Sequence, residues 1–340
     1  MRIATRLVLP GLSMKSLVCS LFFASLAYSV TLISAQRDRK WVGLLSPSSV
    51  TSLTMSNRDI FVLTASGCHR VSPTGQHRFV SIDPSVQKAQ LVAAGFNRAW
   101  YLLQSGSLLV VDLETGRISG RTSIPNAKLN QAACSAGGSN LVAGSLEGTC
   151  IKVKAGNFQK IRLPSKSPIT ALAASPDGTT CLIAMLNRSV FVVNLQDAKV
   201  VTQFHSEFPI HSATFDPSRR IYWGATQIGL LPIPIAGGDG GRKFVNLGMS
   251  VSELRTADDG TLLFIDLPKL KGTARNLPRS APDPSGVWLW RKGGKKMIGQ
   301  TRTASVAISK DGRTACFVGT DGVLHVTDVN KELGYAASQN

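Results

Sequence analysis

Acid is scarce in this chain: 20 Asp and Glu stand against 38 Lys and Arg, a net charge of +18 over 340 residues. A chain this basic tends to associate with anionic surfaces. Helical periodicity is missing beyond the N-terminal stretch. That excludes an α/β architecture, whose parallel strands need crossover helices. Metal-motif spacing is missing as well. The 6 cysteines form no CxxC and the 5 histidines no HExxH, so the zinc sites those spacings build are not expected. No cofactor is implied by any motif. The Gly237-Gly238-Asp239-Gly240-Gly241 run neither follows nor precedes a helix, so it lacks the context of a phosphate loop.

What the chain does contain is short apolar runs broken by turn residues. Ile169 to Val201 holds four such runs, with a Ser-Pro-Asp-Gly turn after the first. This predicts a four-stranded antiparallel meander. Equivalent starts fall at Val50, Ala89, Leu129, Ile169, Ile210, Val251 and Ala304, in steps of 39, 40, 40, 41, 41 and 53 residues. A period near 40 is the signature of a propeller array. The expected fold is therefore all-β: a seven-bladed β-propeller of four-stranded antiparallel blades. Many runs are apolar throughout rather than alternating, as strands covered on both faces should be. The seventh blade lacks an outer strand, and Lys40 to Leu45 lacks a home. The spare strand is expected to close the ring, removing exposed edges.

Three segments follow. Residues 1–35 read as a signal peptide: Arg2, Arg6 and Lys15 precede the apolar run Leu17 to Ala27, and cleavage is expected at Ala35 or, as a second choice, at Ser29. The alternative is an uncleaved membrane anchor over residues 16–35, long enough to span a bilayer. The first 35 residues hold three basic residues and no acid, leaving +15 for the rest. Residues 36–330 form the propeller, with an insertion at 268–285 in blade 6, and 331–340 form a tail. The expected location is periplasmic or extracellular, or the membrane if the anchor is retained.

The run Ile169 to Val201 resembles a blade of the WD-repeat and YVTN-type β-propellers. Val110-Val111-Asp112-Leu113-Glu114-Thr115-Gly116-Arg117 resembles that family's third-strand ending, with Val111 in place of the usual Trp. Ser309-Lys310-Asp311-Gly312 repeats the turn. The Trp-Asp dipeptides and the Gly-His pairs are absent, which places the chain at the divergent end of the family. The resemblance implies a fold that hosts scaffolds, binders and enzymes alike.

Candidate chemistry is thin. His211 lies on an innermost strand near Glu207 and Asp216, and His325 lies near Asp328. Each is read first as a structural polar residue. Cys134 and Cys150 fall on the first and third strands of one blade, beyond disulfide reach. The five cysteines after Cys19 are read mostly as small buried hydrophobes. Asn187-Arg188-Ser189 is a glycosylation sequon on a turn. The irregular place is blade 6. Lys269, Lys271, Arg275, Arg279, Arg291, Lys292, Lys295 and Lys296 stand there against Asp283 alone. Loops inserted into rigid scaffolds tend to carry function. The expected protein is a non-catalytic exported scaffold that binds a protein or an anionic polymer through its loop face. Nucleic acid fits less well, because the inserted loop has no aromatic residue to stack on bases. One alternative is a propeller-type enzyme, a lactonase or quinone-dependent dehydrogenase, with a site in the central channel. The other is a membrane-anchored propeller that docks proteins.

Overall fold

The computed structural model describes residues 33–34, 40–42, 50–56, 59–64, 67–72, 76–83, 85–86, 89–95, 97–103, 107–124, 128–154, 157–236, 243–266, 285–291 and 294–334. Two short strands come first, β1 (Ile33–Ser34) and β2 (Lys40–Val42). Five separate four-stranded antiparallel sheets follow. The first comprises β3 (Val50–Met55), β4 (Ile60–Thr64), β5 (Gly67–Val71) and β6 (His77–Ser81). The second comprises β7 (Ala89–Ala94), β8 (Arg98–Leu103), β9 (Ser107–Asp112) and β10 (Ile118–Ser123). The third comprises β11 (Leu129–Cys134), β12 (Asn140–Ser145), β13 (Cys150–Lys154) and β14 (Asn157–Ile161). The fourth comprises β15 (Ile169–Ala174), β16 (Thr180–Met185), β17 (Ser189–Asn194) and β18 (Lys199–His205). The fifth comprises β19 (Ser212–Asp216), β20 (Ile221–Ala225), β21 (Gly229–Pro234) and β22 (Val245–Asn246). The remaining strands are β23 (Val251–Thr256), β24 (Leu262–Asp266), β25 (Ser285–Arg291), β26 (Gly294–Ile308), β27 (Thr314–Gly319) and β28 (Leu324–Asp328), and a helix, α1 (Val329–Leu333), ends the described chain.

These last strands depart from the expected seven separate blades. They form one eight-stranded sheet in the order β1-β2-β28-β27-β26-β25-β24-β23. β26 is 15 residues long and serves two neighbours. Thr301 pairs with Ser285 of β25 and with Gly319 of β27, and the register shifts before Val306 resumes the ladder. The reason is local. Four of the other sheet-to-sheet connections contain a proline, Pro84, Pro125, Pro164 with Pro168, or Pro209, and the fifth turns at Gly248 with φ 66°. Proline has no N–H for a ladder and glycine supplies the left-handed turn. Gln300 to Ile308 contains neither, so the strand is not interrupted.

Three smaller corrections concern boundaries. The innermost strand of the fifth sheet begins at Ser212, not Ile210, although the His211 N–H already donates to the Ala225 carbonyl at 2.9 Å. Ser285, expected in the insertion, is the first residue of β25. Residues 331–333, expected in the tail, complete α1. Asp328 caps that helix by accepting from the N–H groups of Asn330 and Lys331, and Gly334 ends it at φ 74°.

The core lies between sheets rather than within one. All five residues of β4 are buried, as are the last five of β16 and of β27. Each sheet packs its faces on its two neighbours. Phe61 and Leu63 of the first sheet meet Tyr101 and Leu109 of the second. The fifth meets β23, β24 and β25 through Trp223, Phe264 and Trp290. The circuit closes where Leu53, Val62 and Val71 pack on Cys316, Val318 and Leu324. The Leu53 N–H donates to Ser305 Oγ at 2.8 Å across the same junction. β2 joins β28 antiparallel, with Lys40 opposite His325 and Trp41 opposite Leu324. β1 in turn pairs with β2. The whole is an all-β propeller arrangement of four-stranded antiparallel blades.

Turns of successive hairpins lock onto one another around the circuit. Ser309 Oγ donates to Asp311 Oδ1 at 2.6 Å and accepts from the Thr314 N–H at 2.9 Å. Gly312 follows at φ 71°, and a Cβ there would stand 2.5 Å from the Asp259 carboxylate. Gly178 repeats the arrangement at φ 69°, against Asn140. Glycine is therefore needed twice over at each place, for its backbone and for its lack of bulk.

Candidate functional site in the central channel

The innermost strands β3, β7, β11, β15, β19 and β23 each end their sheet, so one edge of each has no strand partner. Their free backbone groups line the channel together with small side chains. Val92 to Ala94, Ala132, Ala133 and Leu172 to Ala174 border a cavity of about 210 Å³. A second cavity of about 150 Å³ adjoins Thr54, Ser135 and Thr256. Ala94, Cys134, Thr214 and Arg255 border both.

Arg255 is the exception among these small residues. Its Nη2 lies 2.7 Å from Glu253 Oε1, and its Nη1 donates to the Leu254 carbonyl at 3.3 Å. Ser212 Oγ of β19 reaches the other Glu253 oxygen at 3.5 Å. Burial raises the Glu253 pKa, opposed by the Arg255 charge. Cys134 is half-buried; burial pushes its thiol up to about 12, with Arg255 pulling the other way. Cys68, Cys150, Cys181 and Cys316 are buried. Cys134 and Cys150 do sit on the first and third strands of one sheet.

The sequence singles out neither Glu253 nor Arg255. The signal was there. A bulge places Glu253 where the fourth sheet has Ala171, and Arg255 where it has Ala173. Two charges at small-residue positions of an innermost strand mark the channel.

The histidines fare differently. His211 is exposed just before β19, its N–H donating to the Ala225 carbonyl at 2.9 Å, and burial of its ring lowers its pKa. Asp216 ends that strand, about 16 Å away at strand rise. Its carboxylate is fully buried and accepts from Ser218 Oγ and Trp223 Nε1. The two do not form a site. Glu207 is exposed, and its carbonyl accepts from Arg188. His325 stacks on Phe317 at 4.9 Å and lies 3.5 Å from Asp321, while Asp328 caps α1.

One histidine pair went unread. His69 Nδ1 and His77 Nε2 lie 3.0 Å apart across β5 and β6. The ring centroids are 5.2 Å apart with planes at 21°, so the rings meet edge to edge and share one proton. Burial first, then the charge of His77, lowers His69 from 6.5 to about 4. Burial lowers His77 too. An unfolded histidine takes a proton near pH 6.5, which the folded pair resists. Stability from the pair is thus present above 6.5 and lost as pH falls toward 4. Thermal melts at neutral and mildly acidic pH should show a larger acid-induced drop in wild type than in His77→Gln.

Of the basic residues expected at blade 6, Lys269, Lys271, Arg275, Arg279 and Lys292 lie outside the described residues. Arg291 is 12% exposed and ion-paired to Asp259 at 2.7 Å. Lys296 pairs with Glu332 at 2.9 Å. Lys295 sits 5.1 Å from the Trp288 ring centroid and donates to the Leu247 carbonyl at 3.2 Å.

No family model matches the chain, and no curated protein matches it. Among solved structures it is similar to a chain of "Crystal Structure of Mitotic Checkpoint Complex", with a TM-score of 0.62 and 14% identity over 97% of this chain and 98% of that one. At that identity the likeness shows the fold alone, and the fold is a β-propeller.

Proposed function

We propose that the protein is a non-catalytic binding propeller, exported, whose loop face engages an anionic partner through the segment inserted between β24 and β25. The propeller fold supports a binding or scaffold role. The observation that carries the partner's chemistry is local charge: eight basic residues from Lys269 to Lys296 against Asp283 alone. Arg291 and Lys296 already hold ion pairs, so contact falls to Lys269, Lys271, Arg275, Arg279, Lys292 and Lys295. Basic side chains on an inserted loop gain affinity for a polyanion by releasing its counterions, so binding should fall steeply with salt. The partner is an acidic protein or an anionic polymer. We count the eight-stranded sheet as two blades sharing β26, which makes seven. Seven core clusters, one for each junction around the circuit, support that count.

The test has a built-in control. Residues 115–176 carry eight basic residues against Glu147 alone, on the second to fourth sheets. Charge reversal at Lys269, Lys271, Arg275 and Arg279 should abolish retention on an anionic resin at moderate salt. Reversal of Arg121, Lys154, Lys160 and Arg162 should leave most of it. Equal losses would show that the charge acts diffusely and that the loop is no site.

Export carries its own check, since the mature chain should begin near Gln36 by intact mass. Among the described residues no helix is long and apolar enough to cross a membrane. Of residues 1–35, where the leader or anchor is expected, only Ile33 and Ser34 are among them, as β1 beside β2, a strand that cleavage before Gln36 would remove.

A further inference from the structure

Arg255 stands at the waist of the channel, bordering both cavities. A guanidinium offers five N–H donors in a planar fork. Glu253 and the Leu254 carbonyl take two of them. No other acceptor for this side chain is found among the described residues. The remaining donors stand beside a cavity of about 210 Å³, much more room than one water needs. The wall suits a polar guest. Alanines at Ala93, Ala133, Ala173 and Ala213 keep it wide, and the unpaired edges of the innermost strands present backbone N–H and C=O groups.

We propose that the channel waist at Arg255 is a binding site for a small carboxylate that carries a second hydrogen-bonding group. The carboxylate lies on the open side of the guanidinium, whose fork matches two carboxylate oxygens. The second group reaches Thr214, which borders both cavities. Glu253 sets the affinity, because its carboxylate competes for the same cation and repels the ligand. This site is separate from the inserted loop and stands or falls independently of the anionic-partner reading.

Binding to the full chain is followed by titration calorimetry and by the melting temperature. Lactate and malate are the probes, and lactamide is the uncharged control. One of the two acids should bind and raise the melting temperature, and lactamide should do neither. Arg255→Gln should weaken that binding about tenfold or more, the loss expected for hydrogen bonds to a charged group. Glu253→Gln should strengthen it. If Arg255→Gln does not fold by its melting curve, Arg255→Lys decides, since it keeps the charge and loses the fork. Failure of both acids to bind the wild type would overturn the site. So would undiminished binding in whichever Arg255 variant folds.

Discussion

A chain that starts at Pro47 should melt roughly 6 °C below one that starts at Gln36, a loss of about 4 kcal/mol for a domain of this size. The difference is β2. Its ladder to β28 supplies the last strand of the final sheet, and without it β28 becomes an open edge. The seam between β3 and β26 then rests on side-chain packing around Leu53 and Leu324 and on the Leu53 to Ser305 hydrogen bond. An open edge also recruits other strands. The shortened chain should therefore elute partly as dimers and larger species on size exclusion. Equal melting temperatures and a clean monomer would show that the ring holds without its N-terminal strand.

The second large effect is expected at Arg291. Its guanidinium pairs with Asp259 at 2.7 Å, donates to the Gly312 carbonyl at 2.9 Å and to Asn330 Oδ1 at 2.7 Å, and bonds Thr261 Oγ1. One side chain thus ties β25 to the turn before β24, the turn before β27 and α1. Arg291→Met removes the donor and leaves Asp259 and several acceptors in a half-buried place. Breaking such a pair costs about 2–4 kcal/mol, less than a fully buried one because Asp259 is 38% exposed. The melting temperature should fall by several degrees. Lys295→Met, on the same sheet but exposed, should stay within about 0.5 kcal/mol of wild type. If the two variants melt alike, Arg291 is no structural pin and returns to the pool of loop cations.

The contrast shows what one sequence can and cannot disclose. The repeat was legible because each blade restates its pattern: β3, β7, β11, β15 and β23 begin at the residues the period picks out, Val50, Ala89, Leu129, Ile169 and Val251. Boundaries failed where the usual punctuation was missing or displaced. β19 starts two residues past the repeat position, and the lack of proline or glycine between Gln300 and Ile308 fused two expected strands into β26. The partners of Arg291 were hidden for a different reason. Thr261, Gly312 and Asn330 lie 30, 21 and 39 residues away, and only the folded ring brings them to one guanidinium. Counting basic residues cannot separate a pin from a contact. In the channel the charges of Glu253 and Arg255 were visible, but an innermost strand judged by its prevailing Ser, Thr and Ala conceals its exceptions.

The pairing of Lys40 with His325 has a consequence for how the protein is made. A ribosome delivers β2 among the first ordered strands and β28 among the last. Throughout the interval β2 has only β1 beside it in its own sheet, and its other edge waits for β28. Joining segments so distant in sequence is slow, because the ordering of the whole intervening chain must come first. Every other sheet can form from a hairpin just completed. The nascent protein is therefore a growing stack of finished blades with two unfinished ends, exposed to misassembly until the last strand emerges. A chaperone or translocation factor that guards this chain should hold it longest by residues 40–42.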